Sequence, residues 1–143
     1  MTGERKGKEM THAAPSLHLT LRNEPFATMV LRRGVDRLAD ECGLPKSARF
    51  DLKLAATEAV ANALVGAPSD HEVDVFLGAD NEAVQVEVCD RGGFRPQVRD
   101  GHALEAEGGR GIPLMLALVD EVEFRATSAG TRVRMRKRLP LDL

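Results

Sequence analysis

Leu52-Lys53-Leu54-Ala55-Ala56-Thr57-Glu58-Ala59-Val60-Ala61-Asn62-Ala63-Leu64-Val65 sets a carboxylate and a carboxamide four residues apart in a run that is otherwise almost wholly apolar. A helix brings positions i and i+4 onto one side, so Glu58 and Asn62 share a helix face among alanines. A carboxylate held among apolar groups is costly without compensation. One that takes a proton, beside an amide oxygen able to ligate a hard cation, suits phosphoryl transfer. On this segment alone the competing reading, a pair facing solvent or capping a loop, carries more weight. Three glycine-bearing segments downstream reverse that balance.

The spacing predicts that this helix runs from Lys46 or Ser47 to about Val65, where Gly66-Ala67-Pro68 stops it. Upstream, Ser16-Leu17-His18-Leu19-Thr20-Leu21 alternates with period two and reads as a strand. Asn23-Glu24-Pro25 opens a helix in which Phe26, Val30, Leu31, Val35, Leu38 and Cys42 recur at helical spacing, until Gly43 and Pro45 end it. Downstream, residues 72–77 and 83–88 read as strands joined by a turn at Gly78-Ala79-Asp80-Asn81. Residues 91 to about 108 show no apolar period, and a loop of that length in a small domain is more often functional than idle. A short helix follows from Ile112 to Val119, then a last hairpin, 121–126 with 131–139, around Ser128-Ala129-Gly130.

The order β-α-α-β-β-loop-α-β-β joins its later strands by hairpins rather than parallel crossovers. It predicts a two-layer α/β sandwich, a mostly antiparallel sheet with helices on one face. Residues 1–14, polar and charged, read as a flexible tail, and residues 15–143 as a single domain.

The 43% hydrophobic content is that of a globular chain, and the net charge of −2 gives no general drive toward nucleic acid or anionic membrane. Without Trp or Tyr, and with five Phe, the chain has little with which to stack bases. Cys42 and Cys89 are too few and too far apart for a metal-ligand pattern and read as buried thiols in a reducing compartment. The first residues contain no apolar h-region and the chain has no run of about 18 apolar residues, so the expected location is the cytoplasm. On the last strand Arg132, Arg134, Arg136 and Arg138 share one sheet face, with Lys137 among the apolar set. That face reads chiefly as a solvated one, and secondarily as a surface for an anionic partner.

Three glycine segments complete the pattern. Residues 84–89 lead into Asp90-Arg91-Gly92-Gly93, a carboxylate at a strand end followed by glycines that let backbone approach a flat ring. Gly108-Gly109-Arg110-Gly111 precedes a helix, whose exposed N–H groups favour phosphate. Gly130-Thr131 sets a hydroxyl at the start of the last strand.

Together with Leu54–Ala63, these segments in this order resemble the Bergerat ATP-binding fold of the GHKL superfamily, over about residues 16–139. Within it the chain looks like the small anti-sigma-factor serine/threonine kinases of bacterial partner-switching systems. The resemblance implies that Glu58 is the catalytic carboxylate, Asn62 the magnesium ligand, and Asp90 the adenine-binding aspartate with Gly92 beside the ring. It implies that Gly109 and Gly111 contact phosphate, that Arg110 meets the terminal phosphate, and that the Thr131 hydroxyl helps hold adenine, with residues 93–107 as an ATP lid. The implied cofactors are ATP and Mg2+. The implied partners are a sigma factor and an anti-anti-sigma protein, with a homodimer formed through the first strand and helix. The glycines after Asp90 stand one residue short of the family's Asp-x-Gly-x-Gly, and Leu64-Val65-Gly66-Ala67-Pro68 replaces the basic residue or His that often follows the magnesium Asn. The alternative these departures keep open is a nucleotide-dependent binding module of the same fold with little or no kinase activity. Nucleic-acid binding through the arginine face is a third reading, against which the charge and the scarcity of aromatics count.

Overall fold

The computed structural model describes residues 16–65, 67–90 and 111–140. Within them five strands and three helices follow in the order β1 (Ser16–Leu21), α1 (Ala27–Cys42), α2 (Lys46–Leu64), β2 (Val73–Ala79), β3 (Ala83–Asp90), α3 (Gly111–Leu118), β4 (Glu121–Thr127) and β5 (Gly130–Arg138). The strands form one sheet in the order β1-β2-β3-β5-β4, and every neighbouring pair is antiparallel. The three helices pack together and against the sheet, α2 touching β2, β3 and β5 as well as α1 and α3. This is the two-layer sandwich that the order of elements implied.

The core lies between the layers. Leu31, Val35 and Leu38 of α1, Leu52 and Val60 of α2, Val75 and Leu77 of β2, Val84 and Val86 of β3 and Met135 of β5 are almost fully buried. Burying each such side chain contributes about 1.5–3 kcal/mol against exposure. The stripe of α1 differs from the expectation. Phe26 is 57% exposed and Val30 39%, whereas Ala27, Gly34 and Ala39 are buried. The helix sits so close to the sheet that small residues line its inner face. A Cβ on Gly34 would stand 3.3 Å from Leu19 Cδ1. Gly43 ends α1 at φ 79°, where only glycine is free of strain, and its N–H bonds Ala39 O. Asp36 pairs with Lys53 at 3.0 Å and Arg49 with Asp40 at 2.8 Å, which ties α1 to α2.

The first hairpin is also a correction. Gly78 and Ala79 belong to β2, so the turn lies later, at 80–82. There Asp80 Oδ1 accepts the N–H groups of Glu82 (2.8 Å) and Ala83 (2.9 Å), an Asx turn that needs no glycine. The open face of the sheet carries the arginines. Arg132 pairs with Glu87, Arg134 with Glu123, and Arg136 with Asp80, Glu121 and Gln85. The face is therefore largely neutralised within the sheet, in keeping with a solvated surface. Lys137 points the other way. Its Nζ donates to Leu118 O at the end of α3 (2.6 Å) and lies 3.4 Å from Asp51 Oδ2 on α2.

Candidate functional site

Sheet register decides which of the anticipated side chains meet. On β3, Val84, Val86, Val88 and Asp90 are buried toward the helices, while Gln85, Glu87 and Cys89 alternate onto the open face. Asp90 stands directly opposite Thr131, and Val88 opposite Val133. Carboxylate and hydroxyl therefore leave adjacent strands on the same side, at the end of the sheet where β3 finishes and β5 begins. A cleft of about 340 Å³ opens at that end, lined by Cys89, Asp90, Arg125, Gly130, Thr131 and Arg132. Cys89 Sγ titrates above its ordinary value, chiefly through burial and then the Glu87 charge, against the opposing pull of Arg132.

Asp90 is 3% exposed. A carboxylate so buried is tolerated only where donors meet it. One donor is His71, in the segment before β2, whose Nε2 lies 2.6 Å from Asp90 Oδ1 and whose side chain is 11% exposed. An ionised carboxylate only accepts, so Nε2 carries the hydrogen. His71 went unnoticed in the sequence, where it is a lone histidine in a polar turn. The available signal was register. Counting outward from the hairpin turn sets Val73 opposite Asp90, with His71 just beyond.

Glu58 and Asn62 lie half-buried on one side of α2, beside the fully buried Ala55, Ala56 and Ala59. Among the described residues neither side chain is engaged by a hydrogen bond or ion pair. Thr57 differs, its hydroxyl donating to Lys53 O of its own helix at 2.7 Å. The donor set that Glu58 and Asn62 offer, one carboxylate and one amide oxygen without a partner among the described residues, fits a hard cation carried by phosphates. Gly111 opens α3, which packs on α2. Gly92, Gly109 and Arg110, and the whole of 93–107, lie outside the described residues.

This sheet, these helices and this order of site residues define a class. A family model described as histidine kinase-like ATPase domain matches residues 21–137, and the chain belongs to that family. Two curated relatives narrow it. The serine-protein kinase RsbW of Bacillus pumilus is 30% identical over 144 residues, covering 90% of this chain and 88% of its own. That of Bacillus velezensis is 30% identical, covering 91% and 89%. Within the ATPase family the chain is thus a member of the anti-sigma-factor serine-protein kinases. A crystal structure of the RsbU and RsbW domains of a Mycobacterium tuberculosis protein superposes with a TM-score of 0.63 at 27% identity. It covers 88% of this chain, which spans about a third, 33%, of that longer one.

Proposed function

We propose that the protein is an anti-sigma factor and ATP-dependent serine/threonine kinase, which sequesters a sigma factor and phosphorylates an anti-anti-sigma protein. The observation that carries the reading is the Asp90–Thr131 pair, brought together at one end of the sheet in a family of ATPases. Asp90 accepts a hydrogen bond from the exocyclic amine of adenine, and the Thr131 hydroxyl adds a second contact. Asn62 holds Mg2+ through its amide oxygen. Of the phosphate-binding stretch, Gly111 contributes a backbone N–H at the start of α3, with Gly109 and Arg110 before it and Gly92 beside the base. Bound Mg2+-ATP supplies the phosphoryl group and the charge neutralisation that its transfer requires. Glu58 takes the proton of the attacking serine or threonine hydroxyl, and its place on a rigid helix beside Asn62 keeps base and cation ligand in fixed relation. The kinase names of the relatives favour transfer over a module that only binds nucleotide. Second copies meet through β1, an edge strand, and α1.

The test is thermal melting with ATP, with and without Mg2+, in wild type, Asp90→Asn and Asn62→Ala, followed by phosphate transfer to the antagonist with Glu58→Ala. Magnesium-dependent stabilisation that both binding variants lose, and transfer that Glu58→Ala loses by at least about a hundredfold, are expected. Absence of any stabilisation at millimolar ATP sinks the reading.

A further inference from the structure

The family resemblance does not assign one buried polar contact made on a residue of the cleft, that of His71 on Asp90. Resting on the nucleotide reading above, we propose that His71 is a positioning residue that makes the site selective for 6-amino over 6-keto purines. A carboxylate distinguishes the two because it only accepts. It meets an exocyclic amine with a hydrogen bond, and a keto oxygen with lone-pair repulsion. The discrimination lasts only while the carboxylate keeps its orientation. Asp90 sits at a strand end, 3% exposed, where a carboxylate without a second tether could turn its oxygens away from the base.

His71 opposes that turn. Its Nε2 lies 2.6 Å from Oδ1, and the hydrogen bond between them fixes the carboxylate plane. Oδ1 is thus held from the β2 side, while Asp90 itself lines the cleft with Thr131 as its cross-strand neighbour. The imidazole itself is 11% exposed, so it is part of the buried end of the sheet rather than a surface group that happens to reach the acid. His71 acts through Asp90 and needs no contact with the base.

The experiment compares ATP with inosine triphosphate by isothermal titration with Mg2+, in wild type, His71→Gln, His71→Leu and Asp90→Asn, with melting curves to confirm folding. Wild type should prefer ATP by at least about tenfold, the value of one hydrogen bond to a charged group. His71→Leu should lose about tenfold in ATP affinity and little or nothing for the inosine nucleotide, so that the preference collapses. His71→Gln retains a neutral N–H donor and should restore most of the preference, which also guards against a leucine variant that fails to fold. A folded His71→Leu with the wild-type ratio overturns the proposal, as does equal loss for both nucleotides, the mark of a merely structural role. If Asp90→Asn binds ATP as wild type does, the nucleobase assignment itself fails and the proposal falls with it. Loss of preference in Asp90→Asn alongside an unchanged ratio in both His71 variants overturns only the role of His71.

Discussion

Replacing Lys137 with methionine tests whether one nearly buried amine ties three elements together. The side chain is 17% exposed, donates to Leu118 O at 2.6 Å and faces Asp51 Oδ2 at 3.4 Å. A hydrogen bond from a charged donor contributes about 1.5–3 kcal/mol. A cation at the last turn of a helix adds about 0.3–1 kcal/mol, and an ion pair with a partly exposed partner no more than about 1 kcal/mol. The three share one amine and do not sum. Methionine covers the same apolar surface but leaves the carbonyl without this donor, so the net loss is about 2–3 kcal/mol. For a chain of this length that lowers the melting temperature by roughly 5–10 °C. Urea unfolding followed by far-ultraviolet circular dichroism suits a protein without Trp, and the midpoint should fall with the slope unchanged. A variant within about 0.5 kcal/mol of wild type refutes the reasoning. Asp51→Asn should cost under about 1 kcal/mol. If it costs as much as Lys137→Met, the ion pair matters and the helix end does not.

Further outcomes follow from the turn, the helix contact and the cleft. Burial works to raise the Asp80 carboxyl, but the Glu82 and Ala83 N–H groups and Arg136 bring it below its ordinary value. Its contribution is therefore present above the unfolded carboxylate range and lost as pH falls through the folded value. Asp80→Ala should cost about 1–2 kcal/mol at pH 7, and the gap to wild type should narrow below about pH 4, read from unfolding midpoints across pH. Gly34→Ala should be near neutral, because roughly 1 kcal/mol of helix propensity offsets the tight approach to Leu19. Gly34→Leu should cost about 1–3 kcal/mol by the same unfolding measurement. Cys89, its thiol raised chiefly by burial, should alkylate slowly at neutral pH and faster in alkali, and ATP should slow it further because the residue lines the cleft. Mass spectrometry of the labelled peptide reads this directly.

How much of this was legible before the structure depends on the range of the interaction. The apolar periods of α1 and α2, the alternation of β1 and β3 and the run of hairpins set the layer architecture, because each signal is local. Local signals also misplace the hairpin turn. Gly78 looks like punctuation, but β2 runs on through it, paired with Ser16 on one edge and Gln85 on the other, and the turn is made by the Asp80 side chain. The large apolar residues alone suggest an inner stripe of α1 that includes Phe26 and Val30, whereas close approach to the sheet selects small residues such as Ala27 and Gly34. At the site, Glu58 and Asn62 announced themselves because polar residues stand out on an alanine face. Asp90 and Thr131 were separately visible, but their adjacency is a fact of β3–β5 register across 41 positions of chain. His71 was invisible, since only that end of the sheet brings it to Asp90.

The arginine ladder of β5 carries a consequence for strand alignment. Because the arginines recur at every second position, a shift of β5 by two residues would keep its apolar side inward and still offer the open-face acids Glu87, Glu121 and Glu123 a guanidinium. Such a ladder is blind to alignment. The odd member of the inner stripe is not. Lys137 finds Leu118 O and Asp51 from only one position, and any slip would strand its charge among the valines of β3. The two-residue loop at Ser128-Ala129 sets β4 against β5. Against β3, which no hairpin joins to it, a lone charge in an apolar stripe acts as the index mark.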